Sequence, residues 1–216
     1  MTVAIYGSIQ STCTQRVILV CHELGVQYEL KDINMMKGEH KDPQFVKDFH
    51  PFGRIPVLED GQARIFESRA VCQYLIAKHA KPDSTLRRPL DALPIGLYEQ
   101  MASIDYSYFD PSVAKLGYEK KFKKFMGKGE PDPEQVDQAY STMTTCLDLY
   151  EQHLAKKPFL SGEAFGVIDL YSMPWFQFLS FLEMSDEIAP RPNVQIWWTR
   201  VAGRSSWQAL LKMFEH

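Results

Sequence analysis

The segment Phe52-Gly53-Arg54-Ile55-Pro56-Val57-Leu58 places a proline directly before a short apolar stretch. Because proline lacks the N–H that a sheet ladder needs, the strand predicted here begins at Pro56 or lies at a sheet edge. The Ile55–Pro56 bond is either trans, as at an ordinary strand edge, or cis, and we favour the cis form. A cis bond turns the backbone N–H and C=O of Ile55 outward, where an extended peptide can pair with them.

Strand and helix patterns alternate before this segment. Residues 2–6 (TVAIY) are β-branched and aromatic and stop at Gly7, which predicts a strand. Residues 11–24 carry apolar side chains at helical spacing, and Gly25 stands where a helix C′ residue belongs. Residues 28–33 predict a second strand. This strand–helix–strand order implies a right-handed crossover between two parallel strands.

A hairpin and a helix follow the segment. Residues 56–59 and 63–66 flank Asp60-Gly61, a strong signal for a tight β-hairpin. Residues 68–79 predict a further helix. The polar residues 35–50 are poorly periodic and predict a loop with one irregular helix.

The composition changes after residue 79. Residues 80–89 (AKPDSTLRRP) are polar and hold two prolines, which is typical of a linker. No convincing strand pattern follows, and helices are predicted over residues 90–126, 133–154, 167–184, 194–201 and 205–214. The predicted fold class is therefore α/β plus all-α, with a small α/β domain at residues 1–80 and an all-helical domain at residues 90–216.

Composition limits the classes of partner. The 216 residues carry a formal net charge of −3, so nothing suggests nucleic acid or an anionic membrane as a partner. The four cysteines form no CxxC pair and no zinc-type spacing, which predicts no metal site and fits a reducing compartment. The N-terminal pattern is not that of a signal peptide, and no apolar run reaches the length of a membrane span. We expect a soluble cytoplasmic protein.

Ser11 and Thr12 lie between the first strand and an apolar helix. Both residue types are common N-caps, and that structural role alone would explain them. A hydroxyl at a helix N-terminus can also face an anion held there, and helix N-termini lower thiol pKa values. Whether Ser11 is only a structural N-cap or also faces a bound anion depends on the other candidate residues.

Two further groups of side chains suit a small peptide. Ser68 is either the N-cap of its helix or, with Glu67, a site for the carboxylate and ammonium of an amino-acid head such as a γ-glutamyl group. His40 and Lys41 are either solvated surface or a site for the other carboxylate of a tripeptide.

Seven segments of the chain occur in the order and spacing of a known family: YGSIQSTCTQRV, KGEHK, PFGRIPVLEDG, IFESRAVCQYL, YFDPSVAKLGYEKKFKKFMG, LDLYEQHL and RPNVQIWWTRVAGRSSWQALL. Together they resemble phi-class glutathione transferases over nearly the whole chain. The resemblance implies a thioredoxin-like domain that binds glutathione as co-substrate and a helical domain that completes a hydrophobic electrophile site. The implied reaction joins the glutathione thiolate to hydrophobic electrophiles, with reduction of organic hydroperoxides as a further activity.

By matched position, the resemblance also implies the site residues. Ser11 would hydrogen-bond the glutathione sulfur as the catalytic residue, and Pro56 would be the cis-proline of a thioredoxin-like domain. The other glutathione contacts fall on His40, Lys41, Arg54, Ile55, Glu67 and Ser68. The electrophile pocket falls on Ile9, Thr12, Met35, Tyr118 and Phe122, and ordinary core is the alternative role for each.

The chain departs from the family pattern at two structural positions. Arg54 stands where glutamine is usual, so a charged donor replaces an amide. Gly166 stands where Ser or Thr usually forms a capping box with Asp169. Glycine is still an acceptable N-cap, and Phe165 and Leu170 can still form a hydrophobic staple.

Three rival interpretations of the chemistry remain open. Tyr6 ends the first strand, where other transferase classes carry a catalytic tyrosine, but Ser11 precedes the helix directly and is favoured. Cys13, two residues further on, would make the protein a Cys-type thiol transferase. The protein would otherwise be a non-catalytic carrier (ligandin) of hydrophobic small molecules.

The resemblance further implies a homodimer, and Phe52 is the candidate contact. A large aromatic side chain on an exposed loop is unfavourable unless something covers it. In several transferase classes an aromatic residue at this spacing inserts into the partner subunit. The alternative is that Phe52 folds back under its own loop.

Overall fold

The computed structural model describes residues 2–215, which form two compact units. The first contains the chain up to Arg87 together with the segment from Gly203 onward, and the second is Arg88–Ala202. Within the described residues, no helix is both long and apolar enough to cross a membrane.

The first unit contains one four-stranded sheet. Its strands are β1 (Val3–Gly7), β2 (Tyr28–Asp32), β3 (Val57–Asp60) and β4 (Ala63–Phe66). The strand order is β2-β1-β3-β4, in which β1 and β2 are parallel and the β1–β3 and β3–β4 pairs are antiparallel. The predicted parallel crossover and the hairpin are both confirmed.

The first unit also contains helices, whose apolar stripes must be buried. They are α1 (Thr12–Leu24), α2 (Pro43–Asp48), α3 (Ser68–His79) and α10 (Ser205–Lys212), with a 3-10 turn at Glu39–Lys41. Val17–Cys21 of α1 is fully buried. Gly25 ends α1 with φ 66, which is the left-handed C′ conformation that its sequence position predicted.

The last helix lies with the first unit, whereas the predicted boundaries grouped residues 90–216. Polar contacts to α1 explain this difference. The Arg204 guanidinium donates two hydrogen bonds, of 2.8 and 2.7 Å, to the Glu23 carboxylate. The His22 Nδ1 atom lies 3.0 Å from the backbone oxygen of Ser206. Such long-range pairs leave no local signal in the sequence.

The second unit is helical. Its α-helices are α4 (Ala92–Ile104), α5 (Asp110–Gly117), α6 (Lys123–Phe125), α7 (Pro133–Leu154), α8 (Val167–Phe181) and α9 (Pro192–Ala202). Two π-helical turns, Asp105–Phe109 and Tyr118–Phe122, interrupt the stretch predicted as one helix over residues 90–126. Pro111 accounts for the first, because it has no N–H to donate to a carbonyl in the preceding turn.

The Asp169 carboxylate is buried at the start of α8 and organises this unit. It accepts hydrogen bonds from the backbone N–H groups of Leu160, Ser161 and Gly166 at 2.8, 3.3 and 3.0 Å, and from the Trp197 indole at 2.7 Å. Gly166 has no side chain with which to complete a capping box. Instead, Ser161 Oγ accepts the N–H of Ile168 at 3.1 Å, which replaces the missing N-cap hydroxyl.

Candidate active site

The loop before β3 carries the backbone feature expected from the sequence. The Ile55–Pro56 bond is cis, which confirms the favoured conformation. Pairing of β1 with β3 ends at Tyr6 and Val57, so Ile55 lies just beyond the ladder. Among residues 2–215, the Ile55 backbone has no hydrogen-bond partner. An edge of this kind can pair with an extended peptide.

Gly53 joins this loop to the segment that carries His40 and Lys41. Its φ of 56 is in the left-handed region, and a Cβ atom there would lie 2.7 Å from the backbone oxygen of His40. Only glycine therefore allows this close approach. The Lys41 ammonium also donates to the Phe52 carbonyl at 3.1 Å. His40 and Lys41 are thus held beside the residues that precede the cis-proline, whereas the Arg54 side chain is exposed.

His40 has a buried ring nitrogen without a protein partner. Its Nδ1 atom is buried and has no hydrogen-bond partner within the described part of the chain. Desolvation, and secondly the charge of Lys41, lower the pKa of this imidazole below its ordinary value. A buried polar atom without a partner is costly, so this nitrogen suits a bound polar ligand.

Glu67 and Ser68 lie at the start of α3, and the structure shows which of the two is the N-cap. The possibility that Ser68 is the N-cap is wrong, because Glu67 holds that position with φ 67. Ser68 is the first helical residue, and its buried hydroxyl accepts a 2.9 Å hydrogen bond from Arg16. The Glu67 carboxylate is more than half exposed and lies 3.8 Å from His50 Nε2.

Arg16 and His50 were not singled out in the sequence, yet both support this corner of the site. Both side chains are almost fully buried. Burial is the main reason why the pKa of His50 lies below its ordinary value, and the charge of Glu67 opposes that shift. An arginine inside the apolar run of α1 was a usable signal, because buried charges are nearly always paired.

Ser11 is the N-cap of α1. Its Oγ accepts the N–H of Thr14 at 3.4 Å, while its O–H has no acceptor within residues 2–215. The first-turn N–H groups of Thr12 and Cys13 likewise have no acceptor among the described residues. The structural and the functional interpretations of Ser11 are therefore compatible, since one hydroxyl can accept from Thr14 and donate elsewhere.

The Tyr6 hydroxyl is occupied in another interaction. It donates to the Glu59 carboxylate at 2.8 Å, and its ring packs on Phe49 with centroids 4.5 Å apart. This hydrogen bond first, and burial second, raise the pKa of Tyr6 above its ordinary value. A phenol whose proton is already donated to a carboxylate is a poor donor to a thiolate.

Cys13 is a free, partly buried thiol at the second position of α1. Its Sγ lies 3.7 Å from the Arg16 guanidinium. The other three cysteines are buried, and burial raises the pKa values of Cys21 and Cys72 to about 12. Cys13 thus has no second thiol in a CxxC arrangement, which the thiol–disulfide chemistry of such motifs requires.

The apolar candidates lie in both units. In the first, Ile9, Thr12 and Met35 are partly exposed. In the second, Tyr118 and Phe122 lie at the two ends of a π-helical turn and are 36% and 38% exposed. Ordinary core, the alternative role for these residues, is wrong because none of them is buried. π-turns are frequent at functional sites.

Family comparisons agree with this geometry. Residues 1–77 match the model of the glutathione S-transferase N-terminal domain, and residues 109–205 match that of the C-terminal domain. Glutathione S-transferase PM239X14 of Arabidopsis thaliana is 40% identical over 199 residues, which cover 92% of this chain and 90% of the relative. The chain belongs to the glutathione S-transferase family.

Solved structures place this glutathione transferase with the phi class. Poplar glutathione transferase F1 is 32% identical, with a TM-score of 0.88 over 99% of this chain and 98% of its own. Maize glutathione S-transferase I, solved with an atrazine glutathione conjugate, is 25% identical, with a TM-score of 0.86 and coverages of 99% and 98%. The protein is an enzyme that uses glutathione as co-substrate and conjugates it to electrophiles.

Proposed function

We propose that Ser11 activates glutathione by donating its hydroxyl proton in a hydrogen bond to the thiolate. The observation that carries this proposal is the geometry at the start of α1, where the Ser11 oxygen accepts from Thr14 and its O–H remains available. Thr12 and Cys13 are the first two residues of α1, and their free N–H groups belong to the same helix N-terminus as Ser11. The dipole of the helix favours a negative charge at this end. Ser11 stays protonated and acts as a donor, and the nucleophile is the glutathione sulfur.

The magnitudes are sufficient. A thiol with a pKa of about 8.5 is about 3% ionised at neutral pH, and lowering that pKa by about 2 units requires about 2.7 kcal/mol. One hydrogen bond to a charged sulfur contributes about 1.5–3 kcal/mol. The helix terminus adds about 0.3–1 kcal/mol. Together these two contributions make the thiolate the main form without any other catalytic group.

Glutathione would lie along the edge formed by the cis-proline loop and the start of α3. His40 and Lys41 would bind the glycyl carboxylate, which provides an acceptor for the buried His40 nitrogen. The Ile55 backbone would pair with the peptide, while Arg54 supplies a charged donor beside it. Glu67 would accept from the γ-glutamyl ammonium, and Ser68 with the first-turn N–H groups of α3 would hold its carboxylate.

Replacement of Glu67 by glutamine tests the binding roles. We expect the glutathione Kd to rise about tenfold, because a charge-assisted hydrogen bond is worth about 1.5–3 kcal/mol. The pKa of the bound thiol should not change, since the contact is remote from sulfur. Glu29→Gln, which removes an exposed carboxylate on β2, is the matched control. An unchanged Kd in Glu67→Gln, or a bound thiol whose pKa returns to its free value, would contradict the assignment.

Tyr118 and Phe122 would supply aromatic contacts to the electrophile, and residues 1–80 would bind glutathione. Ile9, Thr12 and Met35 would supply the remaining apolar contacts. Exposed aromatic rings and a methionine accommodate varied hydrophobic electrophiles, and organic hydroperoxides are included. Steady conjugation of a neutral aryl halide with glutathione separates this enzyme from a non-catalytic carrier, which binds both ligands without product.

The compartment of action would be the cytoplasm. The free thiols of Cys13, Cys21, Cys72 and Cys146 fit a reducing environment.

Phe52 would hold a homodimer together. Its side chain is 69% exposed, so the alternative that it folds back under its own loop is wrong. Covering such a ring in a partner subunit contributes about 1.5–3 kcal/mol, and a two-fold dimer makes the contact twice.

Replacement of Phe52 by serine tests this contact. We expect sedimentation at micromolar concentration to shift toward the monomer, because both copies of the contact are lost. Helicity by circular dichroism should be retained, since the side chain supports no core of its own subunit. Phe125→Ser, which removes a ring of the second unit that is 68% exposed, is the control. An unchanged dimer, or loss of helicity, would remove Phe52 from this role.

A further inference from the structure

Three phenylalanine rings form a stacked cluster in the helical unit. Phe122, Phe178 and Phe181 have centroids 6.3, 6.3 and 5.3 Å apart, and their planes lie within 30° of parallel. We call these rings the phenylalanine triad. Phe181 is 53% exposed and Phe122 is 38% exposed, so part of the triad is open to solvent. Flat, near-parallel rings are suited to stacking with another planar ring.

The packing below the triad is specific. A Cβ atom on Gly117 would lie 2.5 Å from Phe178 Cε1, so the glycine is what allows this ring to approach α5. Trp175 meets Phe178 edge-on with centroids 5.5 Å apart, and its buried indole N–H has no acceptor within the described chain. The triad is therefore a built surface, in contrast to a chance exposure of single side chains.

A cation lies directly on this surface. The Lys121 ammonium lies 5.8 Å from the Phe181 ring centroid and 2.9 Å from the Glu183 carboxylate. The hydrogen bond from Lys121 first, and the nearby charge of Lys120 in addition, hold the pKa of Glu183 below its ordinary value. Lys121 thus pairs with a carboxylate at the edge of the aromatic cluster.

Glu183 makes this contact from an unusual backbone conformation. Its φ is 60, in the left-handed region, at the position after the α8 cap where glycine is common. A side chain there costs conformational energy, and such outliers concentrate at ligand sites. Its carboxylate is 82% exposed and is exchangeable, since solvated ion pairs are weak. The Glu183 carboxylate thus occupies the position beside Lys121 that the carboxylate of a bound ligand can take.

We propose that the phenylalanine triad and Lys121 form a binding site for planar aromatic carboxylates. The ligand carboxylate would displace Glu183 from Lys121, and its ring would stack on Phe181 and Phe122. The Lys121 ammonium favours a ligand with a negative charge, and the near-parallel rings favour a ligand with a planar ring. The inference rests on the proposed function in one respect, because Phe122 also belongs to the proposed electrophile pocket. The selected substrates there are aromatic electrophiles that carry a carboxylate.

Binding of an unreactive matched pair tests the site without catalysis. Calorimetry would compare naphthalene-2-carboxylate with naphthalene-2-carboxamide on the full-length protein. We expect the carboxylate to bind about fivefold more tightly, in line with one exposed ion pair. Lys121→Gln should abolish that preference, whereas Glu183→Gln should increase it by removing the internal competitor. Lys156→Gln, which neutralises another exposed lysine of the same unit, should change neither ligand.

Three outcomes would overturn the inference. One is equal binding of the carboxylate and the amide. The second is a preference that survives Lys121→Gln, and the third is a preference that weakens in Glu183→Gln. Turnover of a neutral aryl halide reports separately on the proposed function: if it is normal while the carboxylate shows no preference, only this anion site fails. If the carboxylate preference is present but the neutral halide is not conjugated, the site stands and the proposed catalytic role fails.

Discussion

Replacement of Ser11 by alanine is expected to lower kcat for conjugation at least about tenfold while raising the glutathione Kd by only about fourfold at neutral pH, the part of the affinity that comes from ionisation of the bound thiol. The hydroxyl donates to the thiolate and not to the rest of the tripeptide, so its loss raises the pKa of the bound thiol without weakening the carboxylate contacts. At neutral pH the fraction of ionised thiol falls accordingly. The deficit in kcat should shrink as the pH rises toward the pKa of the free thiol, because the bound glutathione thiol then ionises without the help of Ser11.

The measurement is the ultraviolet thiolate absorbance of bound glutathione, titrated against pH alongside the pH–rate profile. Tyr6→Phe is the first control, because the Tyr6 hydroxyl is engaged with Glu59 and should not affect the thiol. Cys13→Ser is the second and should retain conjugation. A near-normal rate in Ser11→Ala with a large loss in Tyr6→Phe would transfer the role to Tyr6. Dominant thiol–disulfide exchange that vanishes in Cys13→Ser would identify a Cys-type enzyme.

Local patterns carried most of the information on the fold. β1 is a β-branched and aromatic run that ends at Gly7, and α1 has apolar residues at helical spacing. The proline before Val57 and the Asp60-Gly61 turn lie within a few residues of the structures they determine. Such features are legible in a single sequence because their physical cause is local.

Contacts between residues distant in the chain could not be predicted from the sequence. Arg16 meets Ser68, and His50 meets Glu67, across segments that the sequence gives no reason to pair. The left-handed conformation of Glu67 moved the N-cap one residue earlier than serine propensity favours. Propensity is a weak prior, and here the packing of a buried Ser68 hydroxyl against an arginine overrides it.

The start of α8 shows how a residue outside the capping box compensates for a departure within it. Gly166 removed the hydroxyl of the usual capping box, and the sequence offered no substitute. The structure supplies one from Ser161, five residues earlier, whose hydroxyl accepts the Ile168 N–H. The other hydrogen bond of the capping box, from the Gly166 N–H to the Asp169 carboxylate, is present. The Asp169 carboxylate is therefore the main group that fixes this helix terminus.

Replacement of Asp169 by alanine is expected to have the largest effect on stability. It would leave three backbone N–H groups and the Trp197 indole without their acceptor. Each unsatisfied buried donor costs about 1–3 kcal/mol, so a loss of about 4 kcal/mol or more in the free energy of unfolding follows even if water relieves some of them. Domains are stable by only about 5–15 kcal/mol, so the variant should be marginal at room temperature.

Denaturant unfolding, followed by tryptophan fluorescence and circular dichroism at one protein concentration, measures this loss. Asp169→Asn retains the side-chain volume and one acceptor oxygen, so its loss should be intermediate. Ser161→Ala removes the acceptor of the Ile168 N–H together with a weaker interaction with Asp169, and should cost about 1 kcal/mol, as N-cap truncations do. Asp137→Ala, at an exposed carboxylate of α7 in the same unit, controls for charge. If Asp169→Ala unfolds at the same denaturant concentration as Asp137→Ala, the buried carboxylate does not hold this helix terminus in place.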